Sequence, residues 1–284
     1  MPIYHLNCGT MPSVIPGVCR TLFEADYAVL HVLLVDAGVP FLIDTGWGLA
    51  DLHTPTRAVR LLRILLGDPL DESETAIRQI ARLGYAPEDI QHIVLTHLHL
   101  DHPGGIVDFP HATIHIYQPE YHAYTHDLLP FPYIKQHTAH NPTLQLHTLA
   151  TPPADWFGFA NTPPIHIGDA EVRFVPLPGH SPGMSAIAIH TPTDGWFLHC
   201  GDSHAFRPYV DPHNPRPPKG LGGPLYTIFK HTPIYVIRGL FTHVPRLRAL
   251  FRDHPEIQHC SSHDTTEFLA QAAHNPPPRA ASLN

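Results

Sequence analysis

Apolar residues along this chain come mostly in short runs separated by turn residues, a pattern that favours strands over long helices. The runs at 28–35 and 39–43 flank the polar turn 36–38 and together predict a β-hairpin. A short helix is predicted to begin near Pro119. The other predicted strands span residues 90–95, 112–117, 171–176, 185–190, 195–199 and 256–262.

Helical spacing of apolar residues is found at 57–66 and at 244–252. Asp71 and Glu74 have the spacing of a capping box and predict the start of another helix. That helix is expected to bury Ile77, Ile80 and Ala81 and to end at Gly84. We assign these helices to packing and give them no role in chemistry.

No shift in composition and no linker divides the sequence, so we predict a single domain over residues 1–284. Two irregular stretches, 126–164 and 208–224, are predicted loop insertions, and 275–284 is predicted to be a frayed tail. The second insertion is either a lid or a subunit contact, which leaves a homodimer open. The first insertion, 126–164, is rich in aromatic residues, which either line a site or cover a sheet. These residues are Phe131, Tyr133, Trp156, Phe157 and Phe159.

Polar side chains concentrate at the end of the predicted strand 90–95. The segment 97–102 carries three imidazoles and one carboxylate, and Gly104-Gly105 follows it closely. If this segment is extended, His97, His99 and Asp101 share one face and His102 points elsewhere, which suits two neighbouring metal ions. The alternative is chance, because the chain has 26 histidines. Four ligand-type side chains at one strand end are difficult to obtain by chance.

Three further candidates also follow predicted strands. They are His180, Asp202 and His263. Taken singly each is weak, since a histidine beside Pro-Gly or an aspartate after glycine is usually a loop or turn residue. Asp44 is a fourth strand-end carboxylate, and it is either a turn cap or a support for metal ligands.

The motif His97-x-His99-x-Asp101-His102 resembles the signature of the metallo-β-lactamase-fold hydrolase superfamily. This resemblance implies an α/β fold, a four-layer αββα sandwich, and two divalent metal ions. Zn²⁺ suits the ligands best, with Fe, Mn or Co as alternatives. In the arrangement that it implies, one ion is held by His97, His99 and His180, the other by Asp101, His102 and His263, and Asp202 bridges both.

Details of the motif distinguish among branches of that superfamily. True β-lactamases carry Cys or Ser at the place of Asp202, and flavodiiron-type members carry Glu at the place of His99. The segment 262–264 resembles the N-acyl-homoserine lactonases more than the glutathione-thioester hydrolases. Lactonases of that branch often have a Tyr where this chain has Ala205. His204 beside it is either a substitute hydrogen-bond donor or a solvated loop residue.

Composition excludes several other classes of function. The formal charge is −8 and the chain has three lysines, which disfavours a nucleic-acid partner. The four cysteines have no metal-site or disulfide-framework spacing, so free thiols in a reducing compartment are expected. The first residues lack the pattern of a signal peptide, and no apolar run approaches the roughly 20 residues of a membrane span. We therefore expect a cytoplasmic enzyme with no membrane partner.

These observations predict a dinuclear metal hydrolase that opens a lactone or related small ester through a hydroxide shared by the two ions. Asp101 or Asp202 is expected to carry a proton to the leaving group, and His204 to contact the substrate. A phosphodiesterase or thioester hydrolase on the same metals is an alternative. A metal-dependent protein that binds a small molecule without turning it over is another.

Overall fold

A computed structural model gives the structure of residues 1–126 without 68 and 70, and of residues 133–138, 144–148 and 154–279. Within these ranges two β-sheets pack face to face, and helices cover their outer faces. This is the four-layer αββα arrangement expected from the sequence. Among the described residues no helix combines the length and the apolar character needed to cross a bilayer.

The first sheet has strand order β1-β2-β3-β4-β5-β6. Its strands are β1 (Ile3–Met11), β2 (Ala28–Asp36), β3 (Pro40–Ile43), β4 (His92–Val94), β5 (Thr113–Tyr117) and β6 (Gln145–His147). The pairs from β1 to β3 are antiparallel, which confirms the predicted hairpin at 28–43, and the pairs from β3 to β6 are parallel.

The second sheet follows a separate hairpin of β7 (Ala154–Trp156) and β8 (Phe159–Asn161). Its strands are β9 (Ile165–Ile167), β10 (Ala170–Pro176), β11 (Ser185–Thr191), β12 (Gly195–His199) and β13 (Gln258–Cys260). The order is β13-β12-β11-β10-β9, with β12 and β13 parallel and the other pairs antiparallel. The three predicted strands between 171 and 199 are confirmed.

The helices of the described residues are mostly short. They are α1 (Val18–Phe23), α2 (Leu49–His53), α3 (Arg57–Leu66), α4 (Ala76–Arg82), α5 (Gln118–His126), α6 (Arg207–Val210), α7 (Gly222–Lys230), α8 (Tyr235–Thr242), α9 (Val244–Asp253) and α10 (Thr265–Ala272). The predicted helices at 57–66 and 244–252 are confirmed. The predicted loop 208–224 begins inside α6 and ends inside α7, so only its middle is irregular.

Strand β2 contributes side chains to two hydrophobic cores. Leu30, Val32 and Leu34 pack on the outer face with α3 and α4, whereas Leu33 and Val35 pack between the two sheets. Because side chains alternate along a strand, a continuous apolar run fills both layers. On the other side, α9 packs against the outer face of the second sheet.

The capping box predicted at Asp71 and Glu74 does not form. Asp71 accepts a hydrogen bond from Ser73 N and begins a short 3₁₀ turn, while the Glu74 carboxylate binds the backbone N–H and hydroxyl of Thr10 in β1. The α-helix starts only at Ala76. Its buried side chains are Ala76 and Ile80, whereas Ile77 is half-buried and Ala81 is exposed.

The frayed tail predicted from residue 275 is wrong for residues 275–279. Asn275 exchanges two hydrogen bonds with the backbone of His5, at 2.8 and 2.9 Å, and Arg279 N donates to Leu83 O. These contacts fix the segment against β1 and α4. Residues 280–284 and Phe131 lie outside the described residues.

Candidate metal centre

The predicted ligands leave the two sheets at the carboxyl ends of strands. The segment 97–102 follows β4, His180 follows β10, Asp202 follows β12 and His263 follows β13. Strands β10, β12 and β13 run in the same direction, so their carboxyl ends lie at one edge of the second sheet. Carboxyl ends of strands are a common place for ligand sites in sheets of this kind.

Side chains from all four segments meet in the folded chain. His180 Nε2 lies 2.9 Å from His99 Nδ1 and 3.1 Å from Asp202 Oδ2. His263 Nε2 lies 3.0 Å from the same Asp202 oxygen and 3.8 Å from Asp101 Oδ2. Three overlapping groups have ligand atoms within 4.8 Å of one another: His97, His99 and His180; His97, His102 and Asp202; and Asp101, His102 and His263.

The segment after β4 turns back on itself instead of continuing as a strand. His102 N donates to His99 O at 3.0 Å, and the rings of His97 and His102 are 3.9 Å apart between centroids. The expectation that His102 points elsewhere is therefore wrong, because a turn sets the side-chain directions. His102 Nε2 lies 3.5 Å from Asp202 Oδ1 and 3.9 Å from Asp101 Oδ2.

Four of these imidazoles have their outer nitrogen, Nδ1, held by the protein. The pairs are His97 with Thr96 Oγ1 (3.0 Å), His102 with Asp44 Oδ2 (2.9 Å), His180 with Val236 O (3.0 Å) and His263 with Val29 O (2.9 Å). A ring that donates from Nδ1 presents the lone pair of Nε2 on its other side. The surrounding contacts therefore fix both the orientation and the tautomer that metal binding needs.

Three inner atoms of the cluster lack partners among the described residues. His97 Nε2, His102 Nε2 and Asp202 Oδ1 are buried and make no hydrogen bond to a described residue. An unpaired buried polar atom costs roughly 1–3 kcal/mol, so folded proteins rarely keep several together. A divalent cation satisfies all three, and imidazole and carboxylate are ligands that Zn²⁺, Fe, Mn and Co share. The donor set fits a metal site.

The protonation states agree with metal ligation. Burial lowers the pKa of His97 and of His99 well below the usual range, and neighbouring imidazoles add to this. Burial alone would raise the pKa of the Asp202 carboxyl, but His263 and two further imidazoles outweigh it and hold that pKa well below its usual range. Burial alone would lower the pKa of the other two imidazoles, but Asp202 and neighbouring carboxylates raise the pKa of His102 well above its usual range and that of His263 to about 9. His97, His99 and Asp202 therefore already have the forms that bind cations, whereas His102 and His263 would release a proton on binding one.

Asp44 supports the cluster from behind. Besides His102, its carboxylate accepts hydrogen bonds from the backbone N–H and the hydroxyl of Thr96, both at 2.8 Å. Its φ angle is +57°, a conformation that costs energy for a residue other than glycine. Three hydrogen bonds and this strained backbone exceed what a simple turn cap requires.

Glu120 ties two ligand-bearing loops together, and sequence reasoning missed it. This fully buried carboxylate in α5 accepts hydrogen bonds from Leu98 N (2.9 Å), Ser181 Oγ (2.6 Å), Gly183 N (3.0 Å) and Tyr133 OH (3.2 Å). Burial raises its pKa, and the hydrogen bonds oppose that shift. The sequence shows only an acid in the first turn of a helix, which is too common to single out.

His204 is buried, so the alternative of a solvated loop residue is wrong. Its side chain is 1% exposed, its Nδ1 lies 3.3 Å from Ser203 Oγ, and its Nε2 has no partner among the described residues. Burial lowers its pKa to about 3. The ring is therefore neutral and has one free nitrogen.

One cavity touches the cluster, and a second shares Phe23 with that cavity. The first, of about 300 Å³, which we call the apolar groove, is lined by Met11, Phe23, Leu62, Leu66, Asp101 and His263. The other, of about 250 Å³, we call the aromatic cavity; it is lined by Phe23, His204, Phe206, Tyr226, Leu240 and Phe241. Of the aromatic residues predicted to wall the site, Tyr133 packs on His99, whereas Trp156 and Phe157 pack at the far side of the second sheet.

Comparison with known proteins agrees with this geometry. Residues 40–213 match the family described as the β-lactamase superfamily domain. A probable metallo-hydrolase of Mycobacterium tuberculosis is 39% identical over 74% of this chain. That match covers 64% of the mycobacterial protein, so the chain spans slightly less than two thirds of it. The N-acyl homoserine lactonase AttM of Rhizobium radiobacter is 31% identical over 67% of this chain and 71% of its own length.

The fold is shared with solved structures. One of them is an N-acyl homoserine lactone hydrolase with N-hexanoyl-L-homoserine at its catalytic metal centre. It aligns over 95% of each chain with a TM-score of 0.65 and 18% identity. At that identity the likeness concerns the fold alone. Together with the family match, it shows that this chain belongs to the metallo-β-lactamase-fold hydrolase superfamily.

Proposed function

We propose that this protein is a dinuclear metal-dependent hydrolase that opens a lactone or a related small ester. The observation that carries the proposal is the meeting of seven ligand-type side chains, three of which have an inner atom that is buried without a partner among the described residues. In this assignment one ion is held by His97, His99 and His180, the other by Asp101, His102 and His263, and Asp202 lies between them.

The overlap of the three ligand groups supports two ions over one. The first and third groups share no residue, whereas the middle group takes His97 from the first, His102 from the third, and adds Asp202. A carboxylate between two cations offsets their repulsion and fixes their separation. Zn²⁺ is the ion that we propose, because imidazoles predominate among the ligands.

The residues of the chain have distinct parts in the proposed reaction. When bound, the ions supply Lewis acidity and lower the pKa of water near them. Asp101 is half-buried beside the apolar groove, where its carboxylate is placed to take a proton from attacking water and pass it to the leaving alkoxide. His204 is placed to hydrogen-bond a polar atom of the substrate through Nε2.

The apolar groove supports an ester substrate with a hydrophobic part. It touches the cluster at Asp101 and His263, and the rest of its lining includes Phe23, Leu62 and Leu66. A reacting carbonyl at the cluster can therefore extend an acyl or alkyl chain into the groove, away from water. The relative named as an N-acyl homoserine lactonase is consistent with this class of substrate.

Elemental analysis combined with a substrate panel tests the proposal. We expect about two equivalents of zinc per chain and turnover of γ-butyrolactone and N-hexanoyl-homoserine lactone. Preferential turnover of bis-p-nitrophenyl phosphate or of a thioester would replace the lactonase assignment by one of those activities. Tight binding of a lactone with no product over many hours would replace it by a binding function.

A further inference from the structure

The aromatic cavity adjoins the apolar groove, because Phe23 lines both. His204 in its lining comes two residues after Asp202. Ile237, also in the lining, follows Val236, whose carbonyl accepts the hydrogen bond from His180. The cavity is therefore built on the same short segments that position two of the proposed ligands.

The chemistry of its walls indicates a ligand that is mostly apolar. The aromatic rings of Phe206, Tyr226 and Phe241 pack edge to face around it, and the Tyr226 hydroxyl is already paired with Leu22 O at 3.1 Å. His204 Nε2, in contrast, is buried and lacks a partner among the described residues. Aromatic walls with one unsatisfied polar atom are typical of a small-molecule pocket.

Two apolar pockets thus adjoin segments that carry proposed ligands. The apolar groove is lined in part by Asp101 and His263, whereas the aromatic cavity is lined in part by His204, close in sequence to Asp202. Phe23 belongs to both linings and separates them. Ala205 also lines the cavity, and its small side chain leaves that volume open.

We propose that the aromatic cavity is a second substrate pocket, and that the preferred substrate carries apolar groups on both sides of its scissile ester bond. One group occupies the apolar groove and the other the aromatic cavity, where His204 Nε2 binds a polar atom next to the reacting bond. This inference rests on the proposed ester hydrolysis. It names alkyl-substituted lactones as the substrate class, instead of a lactone with a small polar ring.

Two isomeric lactones test whether both pockets are used. In α-hexyl-γ-butyrolactone the alkyl group is on the acyl side of the ester, and in γ-hexyl-γ-butyrolactone it is on the alcohol side. Leu240→Trp narrows the aromatic cavity and Leu66→Trp narrows the apolar groove. The ratio of the two kcat/KM values within each zinc-loaded variant is the readout, because the ratio is independent of the fraction of active protein.

We expect the ratio to shift about tenfold in opposite directions in the two variants, since each pocket would exclude a different hexyl group. Leu221→Trp is the matched control, because Leu221 is 75% exposed and lies in neither lining. Its ratio should equal that of the wild type. Shifts of the ratio in the same direction, or no shift in Leu240→Trp, would overturn the proposal of a second pocket. Turnover of either lactone would still support the proposed ester hydrolysis.

If no lactone is hydrolysed, a binding measurement tests the second substrate pocket separately from the proposed ester hydrolysis. Calorimetric titration of the zinc-loaded protein with γ-hexyl-γ-butyrolactone and with its α-hexyl isomer then reports occupancy alone, because neither lactone is turned over. We expect Leu240→Trp to weaken the binding of one isomer about tenfold and Leu221→Trp to weaken neither. Equal binding of both isomers by wild type and Leu240→Trp would show that the aromatic cavity takes no substrate group.

Discussion

Two histidine clusters in the described part of the chain differ in their hydrogen bonds, and one of the two has the form of a metal site. In the metal centre, the outer nitrogens of His97, His102, His180 and His263 are bound by a hydroxyl, a carboxylate or a carbonyl. Elsewhere, three imidazoles of the first sheet form a ladder in which each ring bonds the next. His92 Nδ1 lies 2.9 Å from His115 Nε2, and His115 Nδ1 lies 2.9 Å from His147 Nε2.

The difference shows that burial and number of histidines do not make a metal site. In the ladder, both nitrogens of His115 are used by neighbouring imidazoles, so no lone pair remains for a cation. In the centre, non-histidine partners hold the outer nitrogens, and Nε2 of His97 and of His102 has no partner among the described residues. The outer partners therefore distinguish a metal ligand from a structural histidine.

The largest expected effect separates the two clusters directly. His102→Ala and Asp202→Ala each remove a proposed ligand, so we expect bound zinc to fall and lactone turnover to drop at least about 10²–10³-fold. His92→Ala, at the end of the ladder, should keep both the bound zinc and the lactone turnover. Zinc by elemental analysis and turnover on the same preparations provide the check. Full metal content in His102→Ala would contradict the assignment.

A smaller effect is expected from an outer partner. Asp44→Asn weakens the hydrogen bond to His102 Nδ1 without removing a ligand, so we expect zinc affinity to fall about 10–100-fold. Competition with a chelator of known affinity measures this. Asp253→Asn, a change to an exposed carboxylate on α9, is the matched control. Equal zinc affinities of the wild type, Asp44→Asn and Asp253→Asn would mean that the partner of the outer nitrogen does not affect metal binding.

Lower pH should destabilise the protein through the ladder. Burial and repulsion from the neighbouring imidazoles lower the pKa of His115 to about 3, from an ordinary value of about 6.5. Below pH 6.5 the unfolded chain binds the proton and the folded chain does not, so stability falls as pH falls. At pH 5 this amounts to about 2 kcal/mol.

Urea unfolding of wild type and His115→Phe at pH 7 and pH 5 measures that contribution. The loss of stability between the two pH values should be smaller in the variant by about 2 kcal/mol, whatever its stability at pH 7. An identical loss in both proteins would mean that the ladder already carries a proton in the folded state.

The smallest effect is expected from a histidine pair in neither cluster. His122 and His126 stack on the exposed face of α5, with ring centroids 4.1 Å apart. Because they are exposed, replacing both by alanine should change stability by no more than about 0.5 kcal/mol and leave zinc binding unaltered. Loss of zinc in this double variant would show that the number of histidines determines metal binding more than the partners of the outer nitrogens do.

The sequence predicted what depends on local pattern. Alternating or continuous apolar runs predicted β2, β10 and β11, and the strand-end motif at 97–102 predicted candidate ligands that the fold brings together. Strand β1 was not predicted, although Tyr4, Leu6 and Cys8 alternate with polar residues.

Long-range contacts were not predictable. The sequence of β5 does not indicate that His115 is only 4% exposed, because its partners come from β4 and β6. Nothing near Glu120 in the sequence indicates that it binds Ser181 and Gly183, about 60 residues away. Such roles arise only when distant segments are packed together, and a single sequence does not encode their distances in a readable pattern.

The four hydrogen bonds of Glu120 have a consequence for how the protein acquires its metal. The carboxylate joins the loop after β4, from the first half of the chain, to the loop after β10, from the second. Neither half contains a complete set of the proposed ligands. Metal loading should therefore report assembly of the two halves, and zinc should slow cleavage by proteases at sites exposed when the sheets separate.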